Sequence, residues 1–390
     1  MAKVISASDI HLDTFTAFAK PVDNPISNSR LENILEALRM FFREGAKQGV
    51  KYYVLNGDTF NSRLKMNPSF YTHCINEIIS MFHETPEDST LFFNVGNHDS
   101  SSRFIEPNSV SIFRNFSTDS HKIVVPSQES SIYTLEDNTN IMLVPFTEDV
   151  EASKKAIRRD IKTIEANKQP TTVFAHLGVD GASSGRWPSH KLGGAYNLAD
   201  LGMASEYIYN IVCGHYHTRS VLGTKKYKTH ATTAWYQGDL TELNFNDVSE
   251  YGTGAPRGFD IIDTATGEHK FYDISNNFPK FEIFDLADTK YSLADIEKSM
   301  LHNYVKLVVH DKETYQQITK AYKEARQPDS PVASIQLVLP PKEDEGFKVS
   351  SVDTNAETLA KYMQQFYPSD KRLNELAQHY LSTAESTTTD

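Results

Sequence analysis

Five short apolar runs in the first 220 residues end alike, and this repetition constrains the fold more than any other feature of the chain. Lys3–Ser8 (KVISAS) runs into Asp9-Ile10-His11, Tyr52–Leu55 (YYVL) into Asn56-Gly57-Asp58, and Leu91–Val95 (LFFNV) into Gly96-Asn97-His98-Asp99. Thr171–Ala175 (TTVFA) leads to His176, and Ile208–Cys213 (IYNIVC) to Gly214-His215-Tyr216-His217. Runs of this length and composition read as strands. Helical spacing separates them: Leu31, Ile34, Leu35, Leu38, Phe41 and Phe42 form one stripe, and Tyr71, Ile75, Ile78, Ile79 and Phe82 another. Ser27, Asn28 or Ser29 can cap the first of these helices and Gly45 or Gly49 can end it. A charged helix is expected at about residues 151–167, and a further strand at Ile141–Val144. Strands alternating with helices imply a largely parallel sheet covered on both faces. The five polar clusters then share the carboxyl edge of that sheet, where open α/β sheets build their sites.

Taken singly, the clusters are ambiguous. Asp9-x-His11 reads equally as a turn or cap, Gly57-Asp58 is a common turn pair, and a lone His176 can be a satisfied buried histidine. Gly214-His-x-His and Asn97-His98-Asp99 are more specific, and the joint occurrence is far more so. The residue types fit two divalent cations about 3.5–4 Å apart, which need a shared anionic bridge and neutral donors. A carboxylate such as Asp58 can give one oxygen to each ion, Asn97 adds an uncharged oxygen, and histidines add neutral nitrogens. Mixed N/O donors without thiolate disfavour a structural zinc site. Such a pair acidifies a bridging water into a hydroxide nucleophile and clamps a phosphate in line, which is a phosphoesterase design.

The order Asp-x-His, Gly-Asp, Gly-Asn-His-Asp, His, Gly-His-x-His resembles the calcineurin-like metallophosphoesterases over roughly residues 1–220. SASDIHLD and LNGDTFNSR are similar to the starts of SbcD-type DNA double-strand-break repair nucleases, and PRGFDIIDTATGE at 256–268 to phage recombination endonucleases. The resemblance implies an α/β sandwich of two mixed β-sheets flanked by helices, with a small α/β capping domain and C-terminal helices. It implies Asp9, His11, Asp58 and His217 around one cation, and Asp58, Asn97, His176 and His215 around the other. His98 is then a proton donor to the departing 3′ oxygen, held off the metals, and Asp99 orients it from behind or caps the SSSR segment that follows. The cations are expected to be manganese, with iron, zinc or magnesium as alternatives. One departure stands out: many members of the branch carry a histidine three residues after the bridging aspartate, where this chain has Asn61.

The implied activity is two-metal phosphodiester hydrolysis of DNA, by 3′-to-5′ exonuclease and single-strand or hairpin endonuclease action. The expected partners are DNA and an SbcC-type coiled-coil ATPase, in a heterotetramer built on a homodimer. Two alternatives belong to other classes. A phosphomonoesterase or small-molecule phosphodiesterase of the same fold is disfavoured because GDTFNSR lacks the Asp-Arg-Gly of protein phosphatases. A non-catalytic DNA-bridging scaffold would have lost ligands, and all seven ligand positions are kept.

The domain reading is 1–275 nuclease domain, 276–341 α/β cap, 342–350 linker, 351–383 helical ATPase-binding segment and 384–390 polar tail. Within it, FDIIDTATGEHKFYDI reads as a hairpin turning near Thr266-Gly267, and Tyr304–Val309, Lys312–Glu324 and Ser334–Leu339 as strand, helix, strand. PPKEDEG is an exposed linker, followed by the amphipathic sets Leu359/Tyr362/Met363/Phe366 and Leu373/Leu376/Tyr380/Leu381. These helices either pack on the main core or dock on the ATPase. Two further basic sets, Lys154/Lys155/Arg158/Arg159/Lys162 and KKYK at 225–228, read either as solvated faces or as phosphate contacts. Trp187 and Trp235 suit core packing better than base stacking. Helices near residues 70–115 offer a dimer face or an ordinary surface.

Composition sets the outer limits. A formal charge of −12 argues against bulk attraction to nucleic acid or acidic lipid, and suits a site lined with carboxylates. Two cysteines, Cys74 and Cys213, suggest neither a disulfide framework nor a zinc ribbon. There is no signal-peptide pattern and no apolar run near the ~20 residues that span a bilayer. A reducing cytoplasmic setting is therefore expected, the host cytoplasm for a phage-encoded chain.

Overall fold

The computed structural model describes residues 2–63, 65–100, 105–183, 191–248, 255–288, 291–325, 333–338, 355–366, 372, 373 and 377. Its elements run β1 (Lys3–Ala7), α1 (Ser29–Lys47), β2 (Tyr52–Asn56), α2 (Pro68–His83), β3 (Ser89–Asn94), β4 (His121–Val124), β5 (Ser131–Thr134), β6 (Asn140–Val144), α3 (Val150–Asn167) and β7 (Thr171–His176). A two-residue pair follows, β8 (Ala182–Ser183) and β9 (Lys191–Leu192). Then come β10 (Ile208–Gly214), β11 (Ser220–Lys226), β12 (Ala231–Tyr236), β13 (Gly258–Asp263) and β14 (His269–Asp273). The chain continues with β15 (Phe281–Asp285), α4 (Leu293–His302), β16 (Tyr304–Val309), α5 (Lys312–Ala325), β17 (Ala333–Leu337) and α6 (Asn355–Phe366).

Two six-stranded mixed sheets face each other, in the orders β14-β13-β1-β2-β3-β4 and β11-β12-β10-β7-β6-β5. Strands β1 to β4 are mutually parallel, as are β12, β10, β7 and β6, and antiparallel strands close the edges. The alternation of strand and helix suggested one parallel sheet covered on both faces; the observed form is the sandwich implied by the resemblance. Each sheet has helices on only one face, because its other face meets its partner. Val4, Val54, Phe92, Leu143, Phe174, Val212 and Trp235 fill the space between the sheets. The stripes of α1 and α2 pack on the first sheet, and Ile157 and Ile164 of α3 on the second.

Local signals act as their chemistry dictates. Asn28 caps α1 by accepting from the Arg30 and Leu31 N–H groups, and Gly49 takes the left-handed turn after it. Gly45 instead lies inside the helix, where its missing side chain leaves room for Tyr53. The hairpin β13–β14 turns at Gly267, φ +76°.

A three-stranded parallel sheet, β15-β16-β17, with α4 and α5 forms the smaller unit. It docks through Phe281, whose N–H donates to Glu242 at 2.6 Å, and through Arg30, stacked 4.1 Å from Phe15 and 5.3 Å from Phe281. On α6, Met363 is buried while Tyr362 is exposed. The PPKEDEG linker, Trp187, Leu376, Tyr380, Leu381 and the tail lie outside the described residues. No helix among the described residues is long and apolar enough to cross a membrane.

Candidate metal centre

The carboxyl ends of β1, β2 and β3 meet those of β7 and β10, so both sheets contribute to one edge. Two buried asparagines hold these ends together. Asn56 donates across the sandwich to the Ala175 and Val212 carbonyls at 3.4 and 3.2 Å. Asn94 donates to Asn56, Val144 and Phe174 at 2.9–3.2 Å. Beyond the strands, the loops carrying Asp9 and Asp58 pair through Asp9 N–H to Gly57 O and His11 N–H to Asp58 O, at 3.1 and 2.9 Å.

Asp58 lies at the middle. Its Oδ2 is 3.6 Å from His11 Nε2 and 3.3 Å from His176 Nε2, so it faces a histidine from each sheet. Oδ1 accepts the His98 backbone N–H at 2.7 Å. Asp58 thus stands where a carboxylate shared by two cations would be needed. Asp9 Oδ1 is 4.0 and 3.9 Å from the same two imidazoles, and both Asp9 oxygens accept from His215 N–H at 3.1 and 3.2 Å. His217 places a ring nitrogen within 4.8 Å of the Asp9 and His11 donor atoms. Asn97 Oδ1 accepts from His215 Nδ1 at 2.7 Å, which sets those two side by side. All seven side chains read as ligands from the sequence therefore converge.

The donor set fits divalent cations. His11 donates from Nδ1 to Asn61 Oδ1 at 3.2 Å, and His176 from Nδ1 to Asn56 O at 2.8 Å, so each ring turns Nε2 inward. Both inward nitrogens are buried without a hydrogen-bond partner. Burial pushes His11 down to about 4, so its bare Nε2 lone pair faces carboxylates, an arrangement that a cation between them resolves. Burial likewise lowers His215 to about 4. Burial also pulls on His176 and His217, but the aspartates outweigh it and hold them at about 9 and 10. Asp58 is held below the ordinary carboxylate range: burial opposes this, and His176, His11 and His98 prevail.

The backbone is strained here. Asp9, His11, Asp58 and His215 have φ of 51°, 50°, 50° and 97°. Such residues cost on the order of 1 kcal/mol or more each and persist where the surroundings over-determine them. Glycines permit the close approach: a Cβ on Gly96 would lie 2.1 Å from Asp58 Oδ1, and one on Gly214 2.1 Å from Ser8 Oγ. Gly96 therefore serves packing.

His98 enters the site beside His11, with ring centroids 4.9 Å apart, and donates from Nδ1 to Asn61 O at 2.6 Å. One of its ring nitrogens lies within 4.8 Å of the His11 and Asp58 donor atoms. Asp99 is held by the backbone of two loops, and the SSSR segment that it was expected to cap lies outside the described residues from position 101 on. The Asp99 oxygens accept from the Thr59, Phe60 and Gly96 N–H groups at 3.0–3.3 Å and from Ser109 Oγ. It reaches His98 through the backbone, while Asn61 holds the ring. Burial, with Asp58 nearby, raises Asp99 to about 6.

Asn61 was legible only as a departure from the branch, and it proves central: one residue bonds both His11 and His98. Asp239 and Asp247, flanking His217, escaped sequence reading altogether because no motif spacing marks them. The structure places the other described candidates as follows. Trp235 is buried between the sheets, stacked on His269. Lys154 pairs with Asp200 and Arg159 with Asp160, and Lys225 donates to Ala204 O.

A centre for paired divalent cations, set where two facing mixed sheets end, defines a metal-dependent phosphoesterase. The chain belongs to the calcineurin-like phosphoesterases, whose family profile matches residues 2–219. Among solved structures, a dimetal phosphatase from Danio rerio is similar at 10% identity and TM-score 0.44, over 70% of this chain and 96% of that one. A second solved chain is similar at 11% identity and TM-score 0.37, over 70% and 99%. No curated protein sequence matches the chain.

Proposed function

We propose that the chain is a DNA phosphodiesterase that uses two divalent cations, the nuclease subunit of an SbcCD-like complex. The carrying observation is His98, held at the cation cluster by a carbonyl rather than by a carboxylate. When bound, two cations withdraw charge from a phosphate and acidify water. Asp9, His11, Asp58 and His217 would hold the first, and Asp58, Asn97, His176 and His215 the second. Because Asn61 O only accepts, His98 keeps Nδ1–H toward it, which leaves Nε2 as the atom that would pass a proton to a departing oxygen. That suits an alkoxide leaving group, as in a phosphodiester. Nuclease specificity is supported by the SASDIHLD, LNGDTFNSR and PRGFDIIDTATGE strings. The C-terminal helical segment is assigned to docking on the ATPase, so truncation after Leu339 abolishes that binding and spares DNA cleavage.

The test offers manganese-loaded protein labelled single-stranded, hairpin and duplex DNA beside p-nitrophenyl phosphate. Cleavage of DNA with weak monoester hydrolysis is expected. Robust monoester hydrolysis with intact DNA would replace this reading with a phosphomonoesterase.

A further inference from the structure

His217 has a second environment that the paired-cation reading leaves unused. Its Nδ1 lies 3.4 Å from Asp239 Oδ1 and 3.5 Å from Asp247 Oδ1. Asp239 is fully buried, and neither of its oxygens has a hydrogen-bond partner. It sits three residues past β12, after Gly238 in the left-handed region, and its N–H donates to His217 O at 3.2 Å. Asp247 closes the other side. Its Oδ2 accepts from the Leu243 and Asn244 N–H groups, both at 2.9 Å, which leaves Oδ1 for the imidazole. Buried Arg257 donates to His217 O and, at 3.3 Å, to Asp247 O, binding the strand end and this loop into one piece.

We propose that Asp239 and Asp247 form a carboxylate clamp that fixes the His217 ring, committing Nδ1–H to the clamp and Nε2 to the first cation. The inference rests on the paired-cation reading and makes both aspartates positioning residues. A carboxylate behind a ligating histidine fixes its tautomer and ring orientation and makes it more basic. Two carboxylates facing one ring nitrogen, at 3.4 and 3.5 Å, exceed what orientation alone requires. Asp247 is already satisfied by backbone donors, whereas the Asp239 carboxylate has no hydrogen bond and only the imidazole and the Arg257 guanidinium nearby to offset its burial. A bare buried carboxylate is costly, so Asp239 is tolerable where His217 presents a strongly polarised N–H, as it does with a cation on its other nitrogen. The neighbouring end of the same loop meets the cap, through Glu242 to Phe281 N–H.

The experiment is manganese titration of the full chain by calorimetry, with bound metal counted by mass spectrometry. Wild-type protein holds two ions. Asp239→Ala weakens one ion by about 10–100-fold and leaves the other unchanged, with a wild-type circular dichroism spectrum. Asp239→Asn, of the same shape, serves if the alanine variant does not fold, and shows the same one-ion loss. Wild-type affinity for both ions in the folded variant overturns the clamp. So does a third equivalent in the wild type that Asp239→Ala abolishes, because the aspartates would then hold a cation of their own. A wild type that binds fewer than two ions overturns the paired-cation reading itself, and the two failures are thus distinct.

Discussion

Gly96→Ala probes how tightly the centre is built. The added Cβ would stand 2.1 Å from Asp58 Oδ1 and 2.2 Å from the Asp58 backbone nitrogen. Ordinary contact begins at 3.4 Å, so Asp58 or the end of β3 must shift by about 1.3 Å. No flexible side chain can absorb this, since one of the clashing atoms is backbone. Overpacking of this kind costs on the order of 3 kcal/mol. Its functional cost is larger, because Asp58 Oδ2 faces both His11 and His176, so one shift disturbs both cation positions. Misplacing a catalytic group by about 1 Å lowers turnover about 100-fold. Thermal unfolding of metal-free protein, bound-metal counting and hydrolysis of bis-p-nitrophenyl phosphate measure the three effects. A Gly96→Ala protein with wild-type stability, two ions and unchanged turnover would refute the close-approach argument.

Asn61→Ala removes the acceptor that sets the His11 tautomer but keeps the carbonyl that holds His98. First-ion affinity should fall about 10–100-fold with the second ion retained; unchanged affinity in a manganese titration would contradict this. Metal binding should release protons. Near pH 7 the metal-free protein carries protons on His176 and His217, held at about 9 and 10, and cations must displace them. Affinity therefore rises with pH from 7 toward 9, and calorimetry in buffers of different ionisation heat should count close to two protons per ion pair. The same raised values stabilise the metal-free fold below about pH 6.5, and that contribution is lost as pH climbs through 9 to 10.

The elements that periodicity exposed are those with long apolar faces: α1, α2, α3 and the five strands that end in polar clusters. The short or half-exposed strands β5 (SIYT) and β11 (SVLGTKK) carry no such face, and the short helix α4 offers only a brief one, Ile296 and Met300. The split into two sheets was not readable from local pattern, because it depends on remote pairing, such as Lys3 with Asp263. The candidate positions stood out because polar residues of metal-ligating type recur at strand ends, and the resemblance divided them between two cations. What surrounds them did not. Asn56 looked like part of a turn cluster, and Asn94 like any strand residue, yet together they tie the sheets beneath the site. The resemblance offers Asp99 as an orienting partner of His98, with capping of the next segment as the alternative. In space Asp99 ties the backbone of two loops.

The central claim is that His98 moves a proton while other side chains hold the cations. Its most direct test is His98→Ala, with manganese content and single-turnover DNA cleavage measured on one preparation, beside Asn97→Ala. The account predicts that His98→Ala keeps two ions and loses cleavage, while Asn97→Ala loses one ion. Full cleavage by the His98→Ala protein, or loss of an ion from it, would contradict the account.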